Sequence, residues 1–176
     1  MNTPVIATYG HGTENDFLII FDPQEEISLS ADQVAALCNR HSGIGADGVI
    51  RITRPEGKWF MDYRNADGSI AQMCGNGIRV MARYLVERGH QNEGLFPILT
   101  RDGAKYLRVP TQGDISVNMG QVTDEGDIVT VRVNDHEYTA RHISVGNPHA
   151  VAFLEDLDTV GTLAVPPEVT PAAVYP

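Results

Sequence analysis

Only two cysteines, Cys38 and Cys74, occur in the 176 residues, too few for a disulfide scaffold. No basic tract breaks the acidic balance of 13 Lys and Arg against 23 Asp and Glu, a formal charge of -10. A nucleic-acid partner, which needs clustered positive charge, is therefore not expected. The longest strongly apolar run is 17–21, far short of the roughly 20 residues that span a bilayer. The first seventeen residues contain His11, Glu14 and Asp16 and lack the apolar core of a signal peptide. No membrane partner is expected, and a reducing, cytoplasmic compartment is. Metal ligation has little support. None of His11, His41, His90, His136, His142 and His149 form H-x-H or H-x-x-x-H pairs, and the cysteines lie 36 positions apart.

What remains is an ordinary globular composition, 42% hydrophobic and 20% charged, long enough to bury a core. Short β-branched or aromatic runs dominate, at 5–9, 16–22, 49–53, 58–64 and 70–73. They continue at 96–100, 104–109, 115–119, 128–133, 137–145 and 150–154, separated by Gly, Asp, Asn and Pro. Asp67-Gly68 between two such runs predicts a hairpin turn. Two helices interrupt the strands. One is predicted over 30–41, opened by a capping box of Ser30 and Gln33 with Val34, Leu37, Cys38 and His41 on one stripe. The second is predicted over 75–88, stopping at Gly89, with Ile78, Met81, Ala82 and Leu85 on one face and apolar residues on others. Such a helix is expected to be enclosed by sheet. Four of the ten prolines fall in the last eleven residues; no strand or helix is expected there, and the tail after about Val160 is expected to be mobile.

The string Gly43-Ile44-Gly45-Ala46-Asp47-Gly48 fits the dinucleotide pattern G-x-G-x-x-G, but a helix precedes it and a strand follows. Phosphate binding needs the reverse order. The segment 63–79 is different. It places the Cys74 thiol at the N-cap of a helix whose first turn is Gly75, Asn76 and Gly77. Unpaired N–H groups and the positive dipole end point at that sulfur, a setting that favours thiolate, with Arg79 and Arg83 adding positive charge. The same N–H groups can hold a carboxylate. A buried, inert cysteine is the bland alternative, and it fits Cys38, which lies on an apolar helix stripe. Yet two glycines in a helix's first turn cost stability, as functional sites do. A thiolate beside a carboxylate cradle suits proton transfer at the adjacent carbon. Nucleophilic hydrolysis, with His149 as base, is the competing chemistry.

At these residues the chain resembles the diaminopimelate epimerase family, cofactor-independent enzymes that invert one α-carbon of LL-diaminopimelate to give the meso isomer. Four stretches match in order: 10–17 (Gly-His-Gly-Thr-Glu-Asn-Asp-Phe), 39–48, 65–79, and Gly146-Asn147-Pro148-His149. The inserted form of the first looks like the actinobacterial branch. The resemblance implies an α+β fold, a mostly antiparallel sheet wrapped round a central helix, followed by a second similar domain that is truncated here. Residues 1–118 would form the first domain and 119–176 the beginning of the second. It implies that Cys74 is one of two catalytic cysteines, that Gly75 and Asn76 bind the reacting carboxylate, and that Asn15, Asn65 and Asn147 contact substrate. His149 would influence thiol protonation. It further implies no cofactor, an amino-dicarboxylate substrate and a homodimer. Gly48 falls where many members carry a substrate-contacting Gln. The family's second cysteine motif is absent, so residues 1–176 alone are expected not to epimerise. Proline racemase-like isomerases and a non-catalytic amino-dicarboxylate-binding half-domain are the alternatives.

Overall fold

The architecture comes from a computed structural model that describes residues 4–145 and 148–174. The chain divides between Met119 and Gly120 into two compact units. In the first, seven strands lie side by side in their sequence order. They are β1 (Ala7–Gly12), β2 (Asn15–Phe21), β3 (Gly48–Thr53), β4 (Phe60–Asn65), β5 (Gly94–Thr100), β6 (Gly103–Val109) and β7 (Ser116–Asn118). β2 with β3 and β4 with β5 run parallel, and the other four neighbours run antiparallel. Parallel neighbours need a crossover, and each crossover contains a helix: α1 (Ala31–Cys38) between β2 and β3, α2 (Gly75–Glu87) between β4 and β5.

The two helices take opposite faces of the central strands, and strand parity assigns every core side chain to one of them. Successive residues of a strand point to opposite faces. Phe17 and Ile19 of β2 and Ile50 and Ile52 of β3 therefore pack with Ile78, Met81, Ala82 and Leu85 of α2. Leu18 and Ile20 of β2 and Val49 of β3 pack with Val34 and Cys38 of α1. β2 is apolar throughout its middle because both of its faces are covered. α2 meets β1, β2, β3, β4, β6 and β7, so the mostly antiparallel sheet curls round it as expected. Among its residues only Glu87 is exposed.

The helix starts follow the sequence closely. Ser30 accepts from Gln33 N–H while the Gln33 side chain accepts from Ser30 N–H, completing the capping box. The end of α1 does not follow it. Asn39 caps the helix, and its side-chain oxygen accepts from the N–H groups of His41 and Ser42. That local alternative competes with helix, so His41 leaves the predicted stripe and is exposed. The predicted strand 70–73 reduces to one bridge, Ile70 with Arg64. The Asp67-Gly68 turn forms, with Gly68 N–H on Asn65 C=O, but the chain must then climb to the start of α2.

The second unit is a four-stranded antiparallel sheet in the order β10-β9-β8-β11. Its strands are β8 (Thr123–Val133), β9 (His136–Ser144), β10 (Pro148–Val151) and β11 (Glu168–Thr170). β11 corrects the sequence expectation for the tail after Val160: Val169 pairs with Val131 of β8. Its flanking prolines bracket the strand rather than forbid it, because an edge strand needs donors on one side only.

The β1–β2 hairpin closes through Thr13 and Glu14, whose φ angles are 51° and 64°. Both central residues of such a turn need positive φ, which Asn-Gly supplies and a β-branched threonine resists. Non-glycine residues held there cost on the order of 1–3 kcal/mol each. Replacing Thr13-Glu14 by Asn-Gly is expected to raise stability by about 1–2 kcal/mol. A urea midpoint that does not rise, at unchanged slope, would show the turn to be relaxed.

Candidate active site

The strained hairpin delivers Asn15 to the first position of β2, beside the start of α2. There Cys74 is the N-cap, in extended backbone with φ -140° and ψ 115°. Gly77 N–H donates to Cys74 Sγ at 3.4 Å. On another side the thiol donates to Asn15 Oδ1 at 3.8 Å, and Asn76 Nδ2 donates to the same oxygen at 3.5 Å. The sulfur thus has a donor to satisfy its thiolate form and an acceptor to satisfy its thiol form. Gly75 and Asn76 occupy the first turn, whose N–H groups have no intrahelical acceptor. No acidic side chain occupies that turn, so its positive end is left for an anion.

Asn15 is useful only if its amide points the right way, and a charged network fixes this. Asn15 Nδ2 donates to Asp47 Oδ2 at 2.7 Å, which turns Oδ1 toward Cys74. Asp47 is held in turn by the Asp16 N–H, at 3.1 Å, and by Arg40 Nη2, at 2.7 Å. Arg40 also grips both oxygens of buried Asp16, at 2.9 and 2.7 Å, and Tyr9 O–H donates to that carboxylate at 2.6 Å. Arg79 folds back along α2, donating to Gly75 C=O at 3.0 Å and to Asn76 Oδ1. Asp47 and Arg40 were not singled out as site residues from sequence. Asp47 lies inside the glycine string, and nothing in the order of residues ties it to position 15.

Those three elements, the 10–17 hairpin, the 39–48 loop and the start of α2, are the first three matching stretches brought together in one unit. A family model described as diaminopimelate epimerase matches residues 7–124. The chain belongs to the diaminopimelate epimerase family. The chain is 46% identical to the diaminopimelate epimerase of Streptomyces coelicolor over 187 aligned residues, covering all of this chain and 65% of that protein. It is 48% identical to that of Thermobifida fusca, covering 80% of this chain and 56% of the relative. It thus spans between half and two thirds of those relatives. A hydroxyproline epimerase from Agrobacterium vitis shares the fold, with a TM-score of 0.57 at 14% identity, covering 83% of this chain and 50% of that one.

Within the epimerase family frame, Cys74, Gly75, Asn76 and Asn15 converge, while the other expected residues are distributed. Asn65 ends β4, and its side chain donates to Ser69 Oγ at 3.0 Å, so it braces the Asp67-Gly68 turn. His149 stands in β10 of the second unit, opposite Ile143. Asn147 lies outside the described residues. The loop glycines have structural uses: a Cβ at Gly43 would sit 2.1 Å from Ala36 C=O, and one at Gly48 would sit 2.5 Å from Arg64 C=O. No side chain fits at position 48 without a backbone shift. Cys38 is buried against the α1 face, opposite the face that holds Cys74. Among the described residues no group of three His, Cys, Asp or Glu side chains is placed to hold a metal ion.

The charged network makes an acid prediction. Arg40 hydrogen bonding holds the Asp16 carboxyl well below the usual carboxylate range. Burial opposes ionisation of Asp62, but Arg101, Arg64 and Arg51 outweigh it and hold that carboxyl low as well. Folded-state values below the unfolded one, about 3.9, mean that this stabilisation is fully present above it. It is lost as pH falls from there through the folded values. Urea midpoints are therefore expected to drop below about pH 4, and Asp16→Asn to flatten that drop. An equally steep fall in the variant would assign it to other carboxyls.

Proposed function

We propose that the chain carries one thiol half-site of a cofactor-independent epimerase that inverts the α-carbon of LL-diaminopimelate. The observation that carries this reading is the two-state environment of Cys74: Gly77 N–H faces its sulfur as a donor and Asn15 Oδ1 as an acceptor. A residue that serves as base for one antipode and acid for the other must be stable in both protonation states, and this one has a partner for each. The substrate's reacting carboxylate would lie on the Gly75 and Asn76 N–H groups. The thiolate takes the α-proton, the electron pair left on carbon delocalises into that carboxylate, and the helix N-terminus stabilises the added negative charge. A proton delivered to the opposite face completes inversion. Its donor is a second acid outside residues 1–176, because Cys38 is buried on the other side of the sheet. The distal end of the substrate would be recognised by Asn65 and Asn147, with His149 acting on thiol protonation. We place this reaction in the cytoplasm, carried out by a homodimer.

Proton NMR of LL-diaminopimelate in D₂O reads the α-hydrogen directly. Residues 1–176 alone are expected to give no meso product, and fusion to the unmatched portion of the Streptomyces coelicolor relative is expected to restore both exchange and inversion. Inversion by the chain alone would refute the need for a second acid. In the fused enzyme Cys74→Ser should lower turnover by at least about a thousandfold, since a serine hydroxyl is a far weaker base near neutral pH. A near-normal rate would remove Cys74 from the reaction, and exchange of proline in place of diaminopimelate would reassign the substrate.

A further inference from the structure

Lys105 breaks the parity that orders the rest of the first unit. Its strand, β6, turns residues 105, 107 and 109 inward, and Leu107 and Val109 lie in the α2 cluster. Lys105 holds the first of these positions, 6% exposed, where the pattern calls for an apolar side chain. Its Nζ meets Asp102 Oδ2 at 2.6 Å and donates to the Met119 C=O at 3.1 Å. A buried ion pair adds little stability over an apolar residue of similar length, so stability does not explain this one. Met119 follows β7 and packs, half-buried, against the α2 cluster. Its thioether lies over the first turn of the helix: a Cβ built on Gly75 would fall 3.8 Å from Met119 Cε and 3.9 Å from its sulfur. Those are ordinary contacts, and Gly75 is not in left-handed backbone, so packing within the unit does not demand a glycine there.

We propose that Met119 is the apolar wall of the carboxylate cradle at the start of α2, and that Lys105 is the positioning residue that holds it there. The Cβ position of a residue is two bonds from its own nitrogen, so a thioether in contact with that point flanks the Gly75 N–H. Arg79 Nη1 comes within 3.9 Å of the same point, and the cradle is thereby bordered by one apolar and one cationic group. An apolar wall keeps water from competing for the N–H groups, and a hydrogen bond to an anion is stronger where water is excluded. Glycine at 75 leaves the space between the thioether and the helix turn to the ligand, which a side chain there would take. An unbranched thioether adapts to the shape of what it covers.

Both roles rest on the Cys74 half-site proposed for the chain, and their test needs no diaminopimelate. Iodoacetate carries a carboxylate on the carbon that a thiolate attacks, and iodoacetamide carries a neutral amide there. The ratio of their rates with Cys74 in residues 1–176, followed peptide by peptide by mass spectrometry, therefore reads the cradle. Cys38, 3% exposed, stays unlabelled while the fold is intact. Met119→Ala is expected to lower the ratio about fivefold, the worth of one hydrogen bond, and Met119→Leu, of similar volume, to keep it. Lys105→Met should lower the ratio as far as Met119→Ala does without lowering the urea midpoint, and should have no further effect once Met119 is replaced by alanine. An unchanged ratio in Met119→Ala overturns the wall. A further fall on adding Lys105→Met to Met119→Ala would mean that the ammonium acts by its charge, which overturns its positioning role. A wild-type ratio no higher than that of glutathione removes the cradle itself, and the half-site reading falls together with the wall.

Discussion

A helix wrapped by its own sheet has only its ends to offer a ligand, and that constraint organises the first unit. α2 meets six of the seven strands, and only Glu87 among its residues is exposed. Its apolar face is satisfied inside the sheet, which leaves the free hydrogen-bonding capacity of its first turn at its end. Cys74 caps this turn, with Gly75 and Asn76 in it. The hairpin at 13–14 and the loop at 39–48 then have a common destination, because each must bring a polar side chain to the same helix end. The cost of left-handed Thr13 and Glu14 is intelligible on this view: a relaxed turn elsewhere would not place Asn15 there.

Sequence made the helix end legible and left its surroundings hidden. The N-cap, the glycine-bearing first turn and the buried Ile78, Met81, Ala82 and Leu85 of α2 followed from local pattern, which needs only the 3.6-residue period and capping chemistry. The failures were also local. Asn39 diverted the chain out of α1 through its own side chain, and the segment after Gly68 had to become a climb rather than a strand. β11 was hidden because its prolines read as breakers, while the unpaired edge of β8 that receives it is a property of the second unit's sheet.

The side chains around the thiol were hidden for a different reason. Asp47 is 32 residues from Asn15, a separation that no helical or strand spacing links. What joins them is register. Gly48 pairs with Phe17 on one side and with Asn65 on the other, which sets Asp47 beside Asn15. A one-residue slip of β3 would turn Val49 toward α2 and Ile50 toward α1, and both clusters of the core would be lost with the site. Register is therefore enforced by the whole apolar core, not by the polar groups that use it.

The same parity argument separates the two cysteines. Cys38 follows α1 to one face of β2 and β3, and Cys74 lies against the other. Two layers of buried side chains stand between them, so the partition is as strong as the packing of the sheet. A thiol on the α1 face cannot reach the start of α2 while the core is intact. The first unit therefore holds one of its two cysteines at the start of α2, and the proposed inversion would draw its second acid-base group from elsewhere.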